Sequence, residues 1–183
     1  DYKGCSADTG NGALADFLNI ALGGAFPDAG TEVGGCATIN ENGNSALVKD
    51  ELKEDSWSWR LAADYSITDD VSTYASYSRG FKSGSYPTLG ALNIDQLEAV
   101  VQERLDAYEI GFKATLADGA AQLNGAVFYY DYKDKQLLTK IYDVVFETLW
   151  TLDNAPESDV TGAELDLQWV PIEGLTLGGG VSY

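Results

Sequence analysis

From Trp57 onward, apolar and polar side chains alternate along most of the chain, and the alternation breaks at a few short and a few long stretches. The clearest run is Val71 to Gly84. Val71, Thr73, Ala75, Tyr77 and Phe81 fall on one side, and Ser72, Ser76, Ser78 and Lys82 fall on the other, with Tyr74 the exception on the polar side. Successive side chains of a strand leave opposite faces, so the run predicts a strand with one greasy and one wet face. Trp57, Trp59, Leu61, Ala63 and Tyr65 alternate with Ser58, Arg60, Ala62, Asp64 and Ser66 in the same way. Thr68, Asp69 and Asp70 make the tight turn between the two runs.

The pattern resumes at Tyr108, Ile110, Phe112, Ala114 and Leu116, against Glu109, Gly111, Lys113 and Thr115. Asp118-Gly119 then signals a hairpin turn. Leu123 to Gln136 follows as a strand whose facing is ambiguous, since Val127, Phe128, Tyr129 and Tyr130 are consecutive. The adjacent tyrosines suit an interfacial aromatic belt or a packed core. Ala163, Leu165, Leu167 and Trp169 alternate with Gly162, Glu164, Asp166 and Gln168. A short turn at Pro171 to Gly174 leads to Leu175, Leu177, Gly179, Val181 and Tyr183. The expected strands are about Ser56–Ile67, Val71–Lys82, Arg104–Leu116, Ala120–Leu138, Asp159–Val170 and Leu175–Tyr183, each antiparallel to its sequence neighbour.

Six strands therefore form three hairpins, with short turns within hairpins and long connections between them, about 83–102 and 138–158. Part of the second connection, with Ile141, Val144, Val145, Phe146, Leu149 and Trp150, can continue the strands as a projecting hairpin. Short turns at one end and long loops at the other are the rule of outer-membrane barrels. Arg60, Asp64, Lys82, Glu109, Lys113, Glu164 and Asp166 lie opposite the apolar rows. In a dry core they are costly, whereas facing a watery lumen they hydrate or pair. The fold class this predicts is all-β, an antiparallel transmembrane β-barrel fragment.

Residues 1–55 are different, rich in Gly, Asn, Asp and Ala and without strand alternation; they predict an irregular loop region ahead of a barrel wall over 56–183. Leu14, Phe17, Leu18, Ala21 and Leu22 have helical spacing, which Gly23 and Gly24 end. Cys5 and Cys36 bracket that segment. They read as a disulfide made in an oxidising compartment, or as two free thiols in a reducing one.

The net charge of −18, with eleven Lys and Arg, argues against nucleic acid as a partner. The absence of His removes Ser-His and Cys-His pairs and imidazole metal sites. No run of about twenty apolar residues exists to form a membrane helix. The chain opens on Asp1 and stops at Tyr183 inside an alternating run, which reads as an internal fragment. Asp50, Glu51, Glu54 and Asp55 lack the spacing of a calcium loop and read as a solvated acidic segment. The loop acids also suit divalent ions that bridge lipopolysaccharide. Glu109 and Glu164 are the carboxylates an all-β glycosidase would draw on. Both sit at wall positions, and a charged solvated face is the better account, so no catalytic residue, cofactor or metal site is assigned.

VSTYASYSRGFKSG, AYEIGFKATLADG, LNGAVFYYDYKDKQ and DNAPESDVTGAELDLQWVP, in that order, resemble the barrel of a TonB-dependent outer-membrane receptor. The matching residues are Tyr74, Ser78, Gly80, Phe81 and Lys82; Glu103, Tyr108, Glu109, Gly111 and Lys113; Phe128, Tyr132 and Gln136; Asn154, Ala155, Gly162, Glu164 and Pro171. Gln102 departs from the pattern, in which many members carry Pro. The resemblance implies a plugged barrel of about 22 strands in the outer membrane. It also implies a TonB complex engaged through an upstream region, and uptake of a scarce bulky nutrient such as a ferric siderophore, a corrinoid or a glycan. The partners it implies are outer-membrane lipid and lipopolysaccharide, the remaining strands and plug of the same receptor, and a small-molecule or metal-chelate ligand. This chain then supplies wall, lumen lining and outer loops, with Tyr86, Tyr142, Phe146 and Trp150 as candidate ligand contacts. A barrel or surface adhesin without active transport is the alternative.

Overall fold

In the computed structural model the described residues are 2–5, 36, 38, 40, 47–87, 91, 93–143 and 147–183. The predicted helix over Leu14 to Leu22 lies outside them. Among the described residues eight strands are seen: β1 (Tyr2–Gly4), β2 (Val48–Asp50), β3 (Trp59–Ser66), β4 (Val71–Lys82), β5 (Glu103–Leu116), β6 (Ala121–Asp143), β7 (Glu147–Ile172) and β8 (Leu175–Ser182), with a 3-10 turn at Ile94–Leu97. β3 to β8 form one sheet in sequence order, and β1 pairs with β2 in a second. The chain divides into two compact units. One holds Asp1–Asp55, Ser83–Gln102 and Gln136–Ala155; the other holds Ser56–Lys82, Glu103–Lys135 and Pro156–Tyr183.

In the second unit the pairings of β3 with β4, β4 with β5, β5 with β6 and β7 with β8 are antiparallel. Register assigns the faces. Leu61 pairs with Tyr77 and Tyr77 with Tyr108; Tyr65 pairs with Thr73 and Thr73 with Phe112. These apolar positions, with Ile110 and Val127, share a face. Arg60, Asp64, Ser76, Lys82, Glu109 and Lys113 share the other. In β7 and β8, Leu165, Leu167 and Trp169 pair with Val181, Gly179 and Leu177, while Glu164 and Asp166 point oppositely. The ambiguous β6 is resolved by its partner: Val127 and Tyr129 join the apolar face, and Phe128 and Tyr130 join the polar one.

Little covers the apolar face. Leu61 is 68% exposed, Ile110 60% and Val181 66%, and the buried apolar side chains described in this unit are two alanines, Ala114 and Ala126. A soluble sheet would bury this face, whereas a barrel strand turns it to lipid. β4 to β7 have 12, 14, 23 and 26 residues, at or above the roughly 9–11 needed to span a bilayer on a tilt.

Glycines permit close cross-strand packing at three places. The Tyr74 ring lies over Gly111, Phe112 over Gly125 and Phe128 over Gly162, so a Cβ at any of these glycines would run into the ring. An aromatic covering a glycine on the next strand pins register. At the β5–β6 turn Ala117, Asp118 and Gly119 all have positive φ, and Ala120 N–H closes the turn on Ala117 O at 3.0 Å. In the β3–β4 turn it is Thr68 Oγ1, rather than an aspartate, that accepts from Asp70 N–H, at 3.2 Å.

The largest departures from the expected boundaries lie at the start of β3 and across the second connection. β3 starts at Trp59 because Gly80–Lys82, the residues that would pair with Trp57 and its neighbours, form a ladder with β5 alone. The expected connection over about 138–158 is mostly strand, since β6 runs to Asp143 and β7 begins at Glu147. Its Thr and Ile content suits a pleated ribbon better than a loop. β6 leaves β5 at Asp134, which takes a left-handed φ of 54°, a conformation Asp tolerates.

Two comparisons test this packing in the intact receptor. Leu167→Arg should cost about 2–4 kcal/mol of stability in lipid and Asp166→Asn almost nothing, as read by urea unfolding in vesicles. Gly162→Ala drives a methyl toward the Phe128 ring and the Tyr183 carbonyl oxygen, whereas Gly179→Ala enters open space. The first should cost about 1–3 kcal/mol and the second well under one.

Candidate functional site

Three groupings of polar and aromatic residues stand out. On the polar face of the sheet, Tyr74, Lys113, Asn124, Glu164 and Asp166 line a cleft of about 430 Å³. The Lys113 ammonium lies 5.9 Å from the Tyr74 ring centroid. Cross-strand pairing of Asp64 with Tyr74, of Ser72 with Lys113 and of Ser76 with Glu109 sets these groups in rows. The expected polar residues Arg60, Asp64, Glu109 and Lys113 thus lie on one surface, and Lys82 makes a 3.9 Å ion pair with Glu103. Charges of both signs interleave there, as suits a hydrated wall.

The second grouping lies on the apolar face, where alternation had placed Trp59, Tyr77 and Tyr108 but left Tyr129 open. Trp59, Tyr77, Tyr108 and Tyr129 form a row across four strands. Trp59–Tyr77 centroids are 4.6 Å apart edge-to-face, Tyr77–Tyr108 4.6 Å stacked and Tyr108–Tyr129 6.2 Å. Beside this row, on the side away from the short turns, sits Asp106, only 3% exposed. Arg79 grips it with Nε at 2.6 Å and Nη2 at 2.9 Å, the Tyr77 hydroxyl donates at 2.7 Å, and Arg104 Nε lies at 3.2 Å. Lys133 continues the row, paired with Asp131 at 3.8 Å and with Glu157. A buried carboxylate needs this degree of pairing, and bidentate arginine supplies the strongest form of it. The sign in the sequence was Arg79, which interrupts the apolar row of β4 at the height where Asp106 interrupts β5. On the other side of the tyrosines, Tyr108 to Leu116 spans about 26 Å along the strand. Allowing for tilt, that is of the order of the apolar band of a barrel, about 25 Å tall.

The third grouping belongs to the first unit. Cys5 and Cys36 are joined, with Cα atoms 5.5 Å apart. Near them Tyr2 stacks on Tyr86 at 4.1 Å and donates to Pro87 O at 3.4 Å, while Thr38 Oγ1 donates to Ala91 O at 2.7 Å. Tyr86 is therefore half-buried against a neighbour, and burial first, then Asp50, pushes its phenol pKa up from the ordinary value. Tyr142 is 80% exposed, Trp150 is half-exposed with the Lys140 ammonium 4.6 Å from its ring centroid, and Phe146 lies outside the described residues. The acidic segment is exposed as expected, and Glu54 in addition accepts from the backbone N–H groups of Gly84 and Gln102 at 2.7 and 2.6 Å, while Glu51 pairs with Lys53 at 2.8 Å. Sequence reading missed Glu54, because an isolated acid beside other acids carries no spacing signal.

The family model for the TonB dependent receptor-like β-barrel matches residues 16–183. The pesticin receptors of Yersinia enterocolitica and Yersinia pestis are 32% identical over 110 residues, which is 60% of this chain and 15% of theirs. The crystal structure of the ferric yersiniabactin uptake receptor of Yersinia pestis aligns with a TM-score of 0.51 and 30% identity, over 67% of this chain and 17% of that one. This chain thus spans about a sixth of the relatives it matches. These relatives are receptors by name, and none is described as an enzyme. With its exposed apolar face, its polar cleft on the opposite face and its ordered hairpins, the chain belongs to the TonB-dependent receptor family of the outer membrane, as part of the β-barrel.

Proposed function

We propose that the whole receptor takes up a ferric siderophore with energy supplied by the TonB complex, and that this chain supplies part of its wall, lumen lining and outer loops. The observation that carries the reading is the combined sequence and fold likeness to the ferric yersiniabactin uptake receptor. In this reading Arg60, Asp64, Lys82, Glu109, Lys113, Glu164 and Asp166 line the lumen. The short turns face the periplasm, and residues 1–55 with Tyr86, Tyr142 and Trp150 belong to the outer, ligand-meeting side. The disulfide between Cys5 and Cys36 suits that oxidising side.

Charge narrows the ligand. The first unit carries fifteen Asp and Glu against four Lys and Arg. A field of that sign repels polyanions and favours neutral or cationic ligands, more strongly at low salt.

The test is TonB-dependent uptake of radioactive iron by cells that carry the full-length receptor as their sole siderophore receptor. Ferric yersiniabactin should enter in a strain with TonB and not in one without it. Entry of a corrinoid or an oligosaccharide in place of any iron chelate contradicts the reading. Among iron chelates, a neutral or cationic one should be taken up several-fold faster than a trianionic tris-catecholate. Raising ionic strength from about 0.01 to 0.15 M should narrow the gap, because screening shortens the reach of the loop charges. A preference for the trianion at low salt contradicts the charge argument alone.

A further inference from the structure

The segment 83–102 leaves β4 and returns to β5, and its two feet are held by side chains from three other stretches of the first unit. Glu54 spans both feet with one carboxylate: Oε2 accepts from Gly84 N–H at 2.7 Å and Oε1 from Gln102 N–H at 2.6 Å. Asn154 of β7 pairs with Val101 as a strand neighbour would. Its Oδ1 accepts from Val101 N–H at 2.8 Å, and its Nδ2 donates to Val101 O at 3.1 Å. Gln136 of β6, 8% exposed, donates through Nε2 to Ser83 O at 2.9 Å and to Val101 O at 3.1 Å. Between the feet, Ser85 and Val100 exchange both backbone hydrogen bonds, at 3.0 and 2.9 Å. Gly84 leaves the room: a Cβ there would press on Val100 O, the Glu54 carboxylate and Leu52.

The described residues 93–97 of the segment are tied as well. The Gln96 side chain accepts from Asn93 N–H at 3.2 Å to cap the 3-10 turn, and donates to Trp150 O at 3.0 Å. Ala91, Leu97 and Val100 are buried, so these positions of the segment are packed rather than free in solvent. A connection of this length left free would sample many conformations, and ordering it would cost affinity each time a ligand bound.

We propose that Glu54, Gln136 and Asn154 are positioning residues that clamp the feet of segment 83–102 and so hold it ready as a fixed part of the ligand-capturing surface. The proposal rests on the outer-loop reading given above. None of the three need touch the ligand. They act through the backbone of Ser83, Gly84, Val101 and Gln102, replacing hydrogen bonds that no ladder supplies at the point where the segment leaves the sheet.

The experiment uses the full-length receptor in cells and compares wild type, Glu54→Ala, Asn154→Ala, and Asn154→Ala combined with Ser85→Cys and Val100→Cys. The Ser85–Val100 pair is hydrogen-bonded and antiparallel, with Cα atoms about 5.5 Å apart, inside the range a disulfide spans. Two readouts are taken: protease cleavage within 83–102 on intact cells, and the KM and maximal rate of ferric yersiniabactin uptake. Each single variant should become cleavable and show a KM raised about tenfold at an unchanged maximal rate. The cross-linked variant should recover both properties, and lose them in a reductant that leaves the wild type active. Wild-type cleavage resistance and KM in both single variants overturn the proposal. So does a raised KM that the cross-link leaves raised, since Asn154 would then act on the ligand itself. If Asn154→Ala fails to reach the membrane as a heat-modifiable barrel, Glu54→Ala decides, because Glu54 lies outside the strands. If the wild type takes up no iron chelate, the proposed function fails, and the cleavage comparison still decides the clamp.

Discussion

The register between β4 and β5 is the constraint on which the remaining assignments depend. It runs unbroken from Val71 opposite Ala114 to Lys82 opposite Glu103. Because side chains alternate with period two, a slip of β5 by one residue would carry Ile110 and Phe112 into the polar cleft and put Glu109 and Lys113 among the apolar side chains of β4. Within a bilayer no water can satisfy a broken ladder, so backbone pairing and side-chain facing must both be right together. The aromatic rings seated over Gly111 and Gly125 hold the register of β4–β5 and β5–β6, and Phe128 over Gly162 carries the same device to β7.

Alternation made the wall legible. β4 begins and ends where the pattern of Val71 to Lys82 does, and β5 differs from expectation by one residue. Where four apolar residues were consecutive, as at Val127 to Tyr130, alternation was silent, and pairing with β5 settled the faces. Arg79 was passed over because one polar residue in an apolar row reads as noise; its meaning lies in Asp106, 27 positions away. The stretch 138–158 read as a connection of which part could continue the strands, because acids, Asn and Pro interrupt its apolar residues. Its described residues form strand, with β-branched residues on either side of those interruptions.

The polar contacts of the first unit were the least legible part. Gln136 and Asn154 belong to the family pattern, but nothing in their spacing says that they hold the feet of another segment. Glu54 carries no pattern at all. Side chain to backbone bonds at high sequence separation, such as Gln136 to Ser83 and Asn154 to Val101, depend on tertiary placement that no local period records. The same holds for Tyr86, a candidate ligand contact in the sequence, whose stacking on Tyr2 no local period records.

The central claim is that one face of this sheet meets lipid and the other water. Spin labels at adjacent positions of the intact receptor in vesicles read this directly, through collision with oxygen, which concentrates in lipid, and with a neutral nickel chelate, which stays in water. Labels at Leu61, Ile110 and Leu167 should collide with oxygen and be shielded from nickel, and labels at Arg60, Glu109 and Asp166 should do the reverse. An inverted pattern, or nickel access at all six positions, would contradict the account.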